Sequence, residues 1–335
     1  MKITKRVKWV DIAKAVAILS VIACHTWPGR TTPNITLISF NVPLFFLMTG
    51  FTLKPAKNWK EFRAHLKKNF LRILLPAMVL LGIMDILFVA NGNISGNIPF
   101  KILMQYSFFS GWALYDGLAP SAWIYWFMMA LFVAKTLHDI LCILIPSSKR
   151  FYLVAALGFG GMILAHHNIA LPLMFDAALV SMLFIEIGHL WHTHEKLVNK
   201  ISGPLFVVCL AFWYWCVTQE FQLDIAMRLY MKGLVSIFEA LAGAFVVAKV
   251  CQSIEDINLV SKPLTYLGRN TMLIFAAHSL DLWFEYFWKA DIDRGACALA
   301  YAKRIAVVAA IFIEIKLVIF VVKSLRVLRS ISSEE

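Results

Sequence analysis

Three polar residues stand out in the first apolar stretch of the chain: Asp11, Lys14 and His25, all between Trp9 and Trp27. A charged group inside a bilayer costs several kcal/mol unless it is paired or faces a wet cavity, so such residues are functional candidates. Lys14 and His25 are eleven residues apart, close to three helical turns, which puts both on one face of a helix. Asp11 sits one turn before Lys14 on nearly the same face, able to pair with it. At a rise of ~1.5 Å per residue, Lys14 and His25 are roughly 16 Å apart along the axis. One stripe therefore carries an anion-attracting group near one end and a proton acceptor near the other. Two readings of it are open. The stripe is catalytic, or Asp11 and Lys14 snorkel to the interface while His25 caps the helix among headgroups.

The elements that position these groups follow from composition. Of 335 residues, 60% are hydrophobic and 16% charged, with a mean hydropathy of +0.73. A water-soluble domain cannot hide that much apolar surface, so the expected fold is an all-α integral membrane protein, with residues 1–335 forming a single membrane domain. About ten transmembrane helices are expected, over roughly 9–27, 35–53, 70–90, 121–138, 151–167, 171–190, 204–218, 233–250, 270–288 and 302–322. Polar connections are expected at 54–68, 91–93, 146–148, 192–202 and 255–263; the short apolar segment 101–117 is re-entrant or interfacial. The basic residues of the first eight lack a small-residue cleavage site after the apolar run, so no cleaved signal is expected.

The net charge of +12 does not read as a nucleic-acid surface, because the charges flank apolar runs instead of forming one stripe. With the N-terminus inside, roughly 22 basic residues fall on the cytoplasmic side and about eight outside, the bias expected of a multi-pass protein with both termini cytoplasmic. The outer set includes Arg228 and Arg304, and the inner set Lys135 and Arg150. The six cysteines are scattered without a CxxC pair, and the histidines at 166, 167, 192 and 194 lack metal spacing, so no metal site is expected. Asp85, Asp176, Glu186, Glu239, Glu314 and Lys316 also fall inside expected spans and need partners or a polar cavity.

Beyond the first helix, an ordered set of motifs resembles a known family. Asp11 and Lys14 followed by His25 are similar to the opening of the membrane acyltransferase-3 family, a D-x-x-[R/K] element with a His eleven residues later. Phe40-Asn41-Val42-Pro43-Leu44-Phe45-Phe46 through Thr49-Gly50-Phe51 resembles its second helix, Arg72 to Pro76 its third-helix entry, and Trp123-Ile124-Tyr125-Trp126-Phe127 its W-F segment. Gly268-Arg269-Asn270-Thr271 with His278 is similar to its late G-R-N-S…H element. The resemblance implies an enzyme of the bacterial plasma membrane that moves acetyl from acetyl-CoA, without a metal, to a hydroxyl of a surface glycan or lipid-linked precursor. The fucose-type O-acetylases are the branch it suggests. It implies that Lys14 helps hold the acyl donor and that His25 is essential to transfer. The residues themselves put Asp11 with His25 in catalysis, Arg72 and Arg269 at the donor, and Asn41, Trp123, Trp126, Asn270 and His278 in acceptor or secondary roles; structural pairing for Asp11, interhelical packing for Asn41 and an interfacial aromatic belt for the two tryptophans are the alternatives. The chain departs from the pattern at Lys14, where Arg is frequent and would offer a bidentate fork, and at Asn41, where a titratable His is frequent. A polytopic transporter or flippase is the alternative, and a non-catalytic membrane sensor the third reading. The expected partners are acyl-CoA, a glycan and membrane lipid, not nucleic acid.

Overall fold

The computed structural model describes residues 6–27, 29–90 and 125–332, without the side chains of 84, 85, 87–90 and 326–332. Trp123 and the segment 101–117 lie outside the described residues, as does the side chain of Asp85. The described chain is helical apart from one two-stranded hairpin, β1 (Leu223–Asp224) and β2 (Leu229–Tyr230). Among the described residues, six helices are long and apolar enough to cross a membrane: Thr32–Phe51, Trp126–Leu144, Pro172–Thr193, Glu195–Thr218, Leu234–Ser253 and Cys297–Leu325.

The chain divides into two compact units. The first comprises Met1–Leu37 and Ile254–Glu335. It contains α1 (Lys8–Cys24), the start of α2 (Thr32–Phe51), α10 (Asn258–Arg269), α11 (Thr271–Leu280), a 3-10 segment (Asp281–Phe287), α12 (Lys289–Asp293) and α13 (Cys297–Ser332). α1 is buried nearly all round, since after its first residue apolar residues occupy every side of it apart from Asp11, Lys14 and Ser20, and packs against α10, α11 and α13. α13 presents Ile313, Leu317, Val318, Phe320 and Val321 outward, the surface that lipid covers.

The second unit, Ile38–Ser253, holds the rest of α2 with α3 (Trp59–Asn69), α4 (Leu75–Ala90), α5 (Trp126–Leu144), α6 (Ser147–His166), α7 (Phe175–Thr193), α8 (Glu195–Thr218), the hairpin and α9 (Leu234–Ser253). Two glycines let α2 and α7 meet backbone to backbone. A Cβ on Gly50 would lie 1.9 Å from the Ile185 carbonyl oxygen, and one on Gly188 2.0 Å from that of Leu47.

Several expected connections are helical instead. The 54–68 stretch folds into α3 because Asn58 and Glu61 form a reciprocal cap: Asn58 Oδ1 accepts from the Glu61 N–H (2.9 Å) and Glu61 Oε2 from the Lys57 N–H (3.0 Å). Lys67 and Lys68 complete the other end. Residues from Glu195 onward extend α8, and the 255–263 stretch opens α10 at Asn258, with Pro263 tolerated in its first turns. The expected 270–288 helix gives way after Leu280 to the 3-10 segment, which kinks at Phe284.

Candidate active site

Both ends of α1 are held by α10–α13, and the polar residues of the sequence gather at those ends. At the N-terminal end, Gly268 lets α10 touch the α1 backbone; a Cβ there would lie 1.7 Å from the Asp11 carbonyl oxygen. This approach brings the neighbouring Arg269 to Asp11, Nε to Oδ2 3.4 Å. The same carboxylate takes a fork from Arg6, at 2.6 and 3.0 Å. Asp11 is buried, while the Arg269 side chain is 53% exposed and keeps further donors turned outward. Lys14 lies half-buried one turn along α1. Asn270 joins α10 to α11 and donates from Nδ2 to the Tyr266 carbonyl at 2.7 Å, a helix-end role.

About 21 Å further along, α1 ends at Cys24 and His25 follows in the turn, as an exposed residue. The turn is pinned from three sides. Asn34 Nδ2 donates to the Trp27 carbonyl at 2.7 Å, Thr26 Oγ1 donates to the Ile22 carbonyl at 2.9 Å, and Arg304 Nη1 donates to the carbonyl of His25 itself at 2.8 Å. Tyr301, one turn before Arg304 on α13, reaches the Leu19 carbonyl at 3.2 Å.

Beside this turn the first unit buries a second histidine. The His25 and His278 rings lie 5.4 Å apart, tilted by 36°. His278 closes α11, fully buried, and its Nδ1 is 2.9 Å from Asp281 Oδ2. Asp281 follows His278 by one turn, so the carboxylate and the ring share a face. Arg304 grips the other side of Asp281, Nε to Oδ2 at 2.7 Å and Nη2 to Oδ1 at 3.0 Å, with its guanidinium 4.4 Å from the centroid of the buried Trp288 ring. A guanidinium is always charged, and a carboxylate between it and an imidazole can only accept. In the neutral ring, Nδ1 of His278 is therefore the donor and Nε2 carries the lone pair. That Nε2 is buried and has no hydrogen-bond partner among the described residues.

Of the residues singled out in the sequence, the structure brings together Asp11 with Arg269 and His25 with His278. Arg72, Asn41 and Trp126 belong to the second unit. Arg72 is exposed on a π-helical turn, Phe70–Leu74. Asn41 is buried, its Oδ1 accepting from the Val42 N–H at 2.6 Å. Trp126 is buried against Phe127, an intramolecular packing position. Asp281 and Arg304 were not among the sequence candidates. The signal existed: Asp281 lies one turn after His278 inside an expected span, and Arg304 lies two residues into another. Each was a charge in an apolar run and so required a partner.

One of the comparisons with known proteins gives a match. The family model for an acyltransferase domain matches residues 7–321, nearly the whole chain. No curated protein and no solved structure matches it.

Proposed function

The chain belongs to this acyltransferase family and is a multi-pass membrane protein, and from that premise we propose that it moves an acetyl group from acetyl-CoA to a hydroxyl of a cell-surface glycan or its lipid-linked precursor. The reading places it in a bacterial plasma membrane with both termini in the cytoplasm. One observation carries it: a single buried helix bears the Asp11–Arg269 pair and Lys14 towards one end and, at the other, an exposed imidazole facing a buried His–Asp–Arg cluster.

The roles follow from chemistry. Lys14 and the outward donors of Arg269 suit the phosphates of CoA, and Asp11 positions Arg269 for them. His25 stands where the thioester carbon and the alcohol meet. The hydroxyl oxygen attacks that carbon, the C–O bond forms and the C–S bond breaks. The proton lost by the alcohol passes to imidazole and then to the departing thiolate, giving ester and free CoA. General-base assistance of this kind is worth ~10²–10⁴-fold. His25 works either as that base or as a nucleophile acylated in passing.

Transfer of radiolabelled acetyl by membranes containing wild type, His25→Ala or Lys14→Ala tests the reading. His25→Ala should reach the membrane in normal amount and transfer nothing above background; full activity in that variant overturns the assignment. Lys14→Ala should raise the KM for acetyl-CoA, and an unchanged KM removes Lys14 from the donor site. A transporter would show no acetyl transfer by any of the three.

A further inference from the structure

The Asp281–His278 pair has the carboxylate and the imidazole of a hydrolytic triad and lacks the hydroxyl. In that arrangement a carboxylate fixes the imidazole tautomer so that the far nitrogen presents a lone pair to an alcohol. Here Arg304 fixes Asp281, Asp281 fixes Nδ1 of His278, and Nε2 is left buried without a partner among the described residues. Leaving a buried acceptor unpaired costs about 1–3 kcal/mol, a cost that a bound donor removes. A second orphan flanks the same arginine. Trp288 packs its ring beneath the Arg304 guanidinium, and its Nε1–H is also buried and unpartnered among the described residues. The cluster thus shows one bare acceptor and one bare donor. An alcohol O–H is a donor that the bare Nε2 can accept from.

We infer that the acceptor alcohol binds at the His278–Asp281–Arg304 cluster, and that His278, not His25, is the base that takes its proton. This rests on the acyl-transfer reading above and deepens it. The acceptor O–H proton moves to His278 Nε2 as the oxygen bonds to the acyl carbon, and the imidazolium then returns that proton to the departing thiolate. Asp281 and Arg304 are positioning residues: they set the tautomer, and Arg304 also holds the His25 carbonyl, so one guanidinium registers both imidazoles. His25 is left to act on the acyl group.

The test is acetyl transfer from acetyl-CoA by membranes carrying His278→Ala, with and without added imidazole and 4-substituted imidazoles of graded basicity. The expected result is a fall of ~10²–10⁴-fold with little change in the KM for acetyl-CoA, and partial rescue whose rate rises with the basicity of the added imidazole. His278→Asn guards against misfolding. Its amide still offers an N–H to Asp281 but supplies no base, so it should be present at wild-type level and inactive. Activity within a few-fold of wild type in His278→Asn, or rescue indifferent to basicity, overturns the assignment of the base while wild-type transfer upholds the enzyme. Absence of transfer by wild type overturns both.

Discussion

Each unit of this protein buries a histidine, a carboxylate and an arginine together, and the two clusters end differently. In the second unit, His138 Nε2 meets Glu186 Oε2 at 2.7 Å, and Arg150 Nε lies 3.1 and 3.0 Å from the two Glu186 oxygens. The same tautomer logic makes Nε2 the donor, and the remaining lone pair on Nδ1 meets the Cys142 thiol, Sγ to Nδ1 3.5 Å. That cluster is closed: every nitrogen of its imidazole has a protein partner. The cluster in the first unit is open, with Nε2 of His278 bare and the ring of an exposed histidine tilted against it. A loose end does lie near the closed one, since Nδ1 of His189 is buried without a partner among the described residues, but it belongs to another ring, 6.0 Å away. Identical chemical parts thus serve to join helices when their valences are filled and to do chemistry when one is withheld.

The largest expected effect separates the two directly. Replacing a buried ionic triad by apolar residues of similar volume is often neutral for stability. His138→Leu with Arg150→Met and Glu186→Leu should therefore give folded protein that transfers acetyl at the wild-type rate. His278→Leu with Asp281→Leu and Arg304→Met should give folded protein whose transfer falls ~10²–10⁴-fold. Size-exclusion profiles in detergent report the fold, and labelled transfer reports the activity. A closed-cluster triple that folds and is silent breaks the comparison.

Removing one partner only is the next largest. Glu186→Leu strands the Arg150 charge among apolar helices, a loss of about 3–5 kcal/mol. Recovery of monodisperse protein should collapse, whereas the triple variant recovers it. Equal recovery from the single and triple variants would mean that the closed cluster carries no ionic strain to relieve.

How far the sequence foretold this contrast depends on what a linear pattern can hold. The helices were legible because a span needs a run of apolar residues: 9–27, 233–250 and 171–190 correspond to α1, α9 and the Pro172–Thr193 helix within a few residues. Helix α3 was not, because its stability comes from the Asn58–Glu61 cap and an interfacial amphipathic face, which hydropathy does not register. His25 and His278 were visible as polar residues in apolar surroundings, and Glu186 as a carboxylate in need of a partner. Its partners were invisible, since Arg150 and His138 reach it from 36 and 48 residues away. Arg304 was counted as an outer flanking charge. Charge bias sorts residues by side of the membrane, but depth and rotation on the helix decide that this one is 1% exposed and grips Asp281.

A smaller effect sets the two glycine contacts against each other. Both Gly268→Ala and Gly188→Ala push a Cβ into a backbone oxygen, at 1.7 Å from Asp11 and 2.0 Å from Leu47, so a helix must shift in either case. The strain is on the order of 1–3 kcal/mol for each. In the first unit the shift draws Arg269 away from Asp11, so Gly268→Ala should raise the KM for acetyl-CoA more than it lowers kcat. Gly188→Ala should lower thermal stability and leave that KM alone. Matching kinetic profiles would show that the N-terminal end of α1 has no special part in donor use.

The smallest expected effect is the sharpest test of the contrast. Cys142, His138 and Glu186 stand in the order nucleophile, base, carboxylate, the arrangement that activates a thiol in other enzymes. What sets this cluster apart is that both nitrogens of the His138 ring already have protein partners, so none is left to take a proton from a bound alcohol. The thiol is then a filler that satisfies Nδ1. Cys142→Ser keeps a donor at that position on a shorter bond, so stability should change by less than about 1 kcal/mol and transfer not at all. Loss of transfer in this variant, with the protein still folded, would turn the closed cluster into a second reacting centre, and filled valences would no longer distinguish the structural cluster from the chemical one.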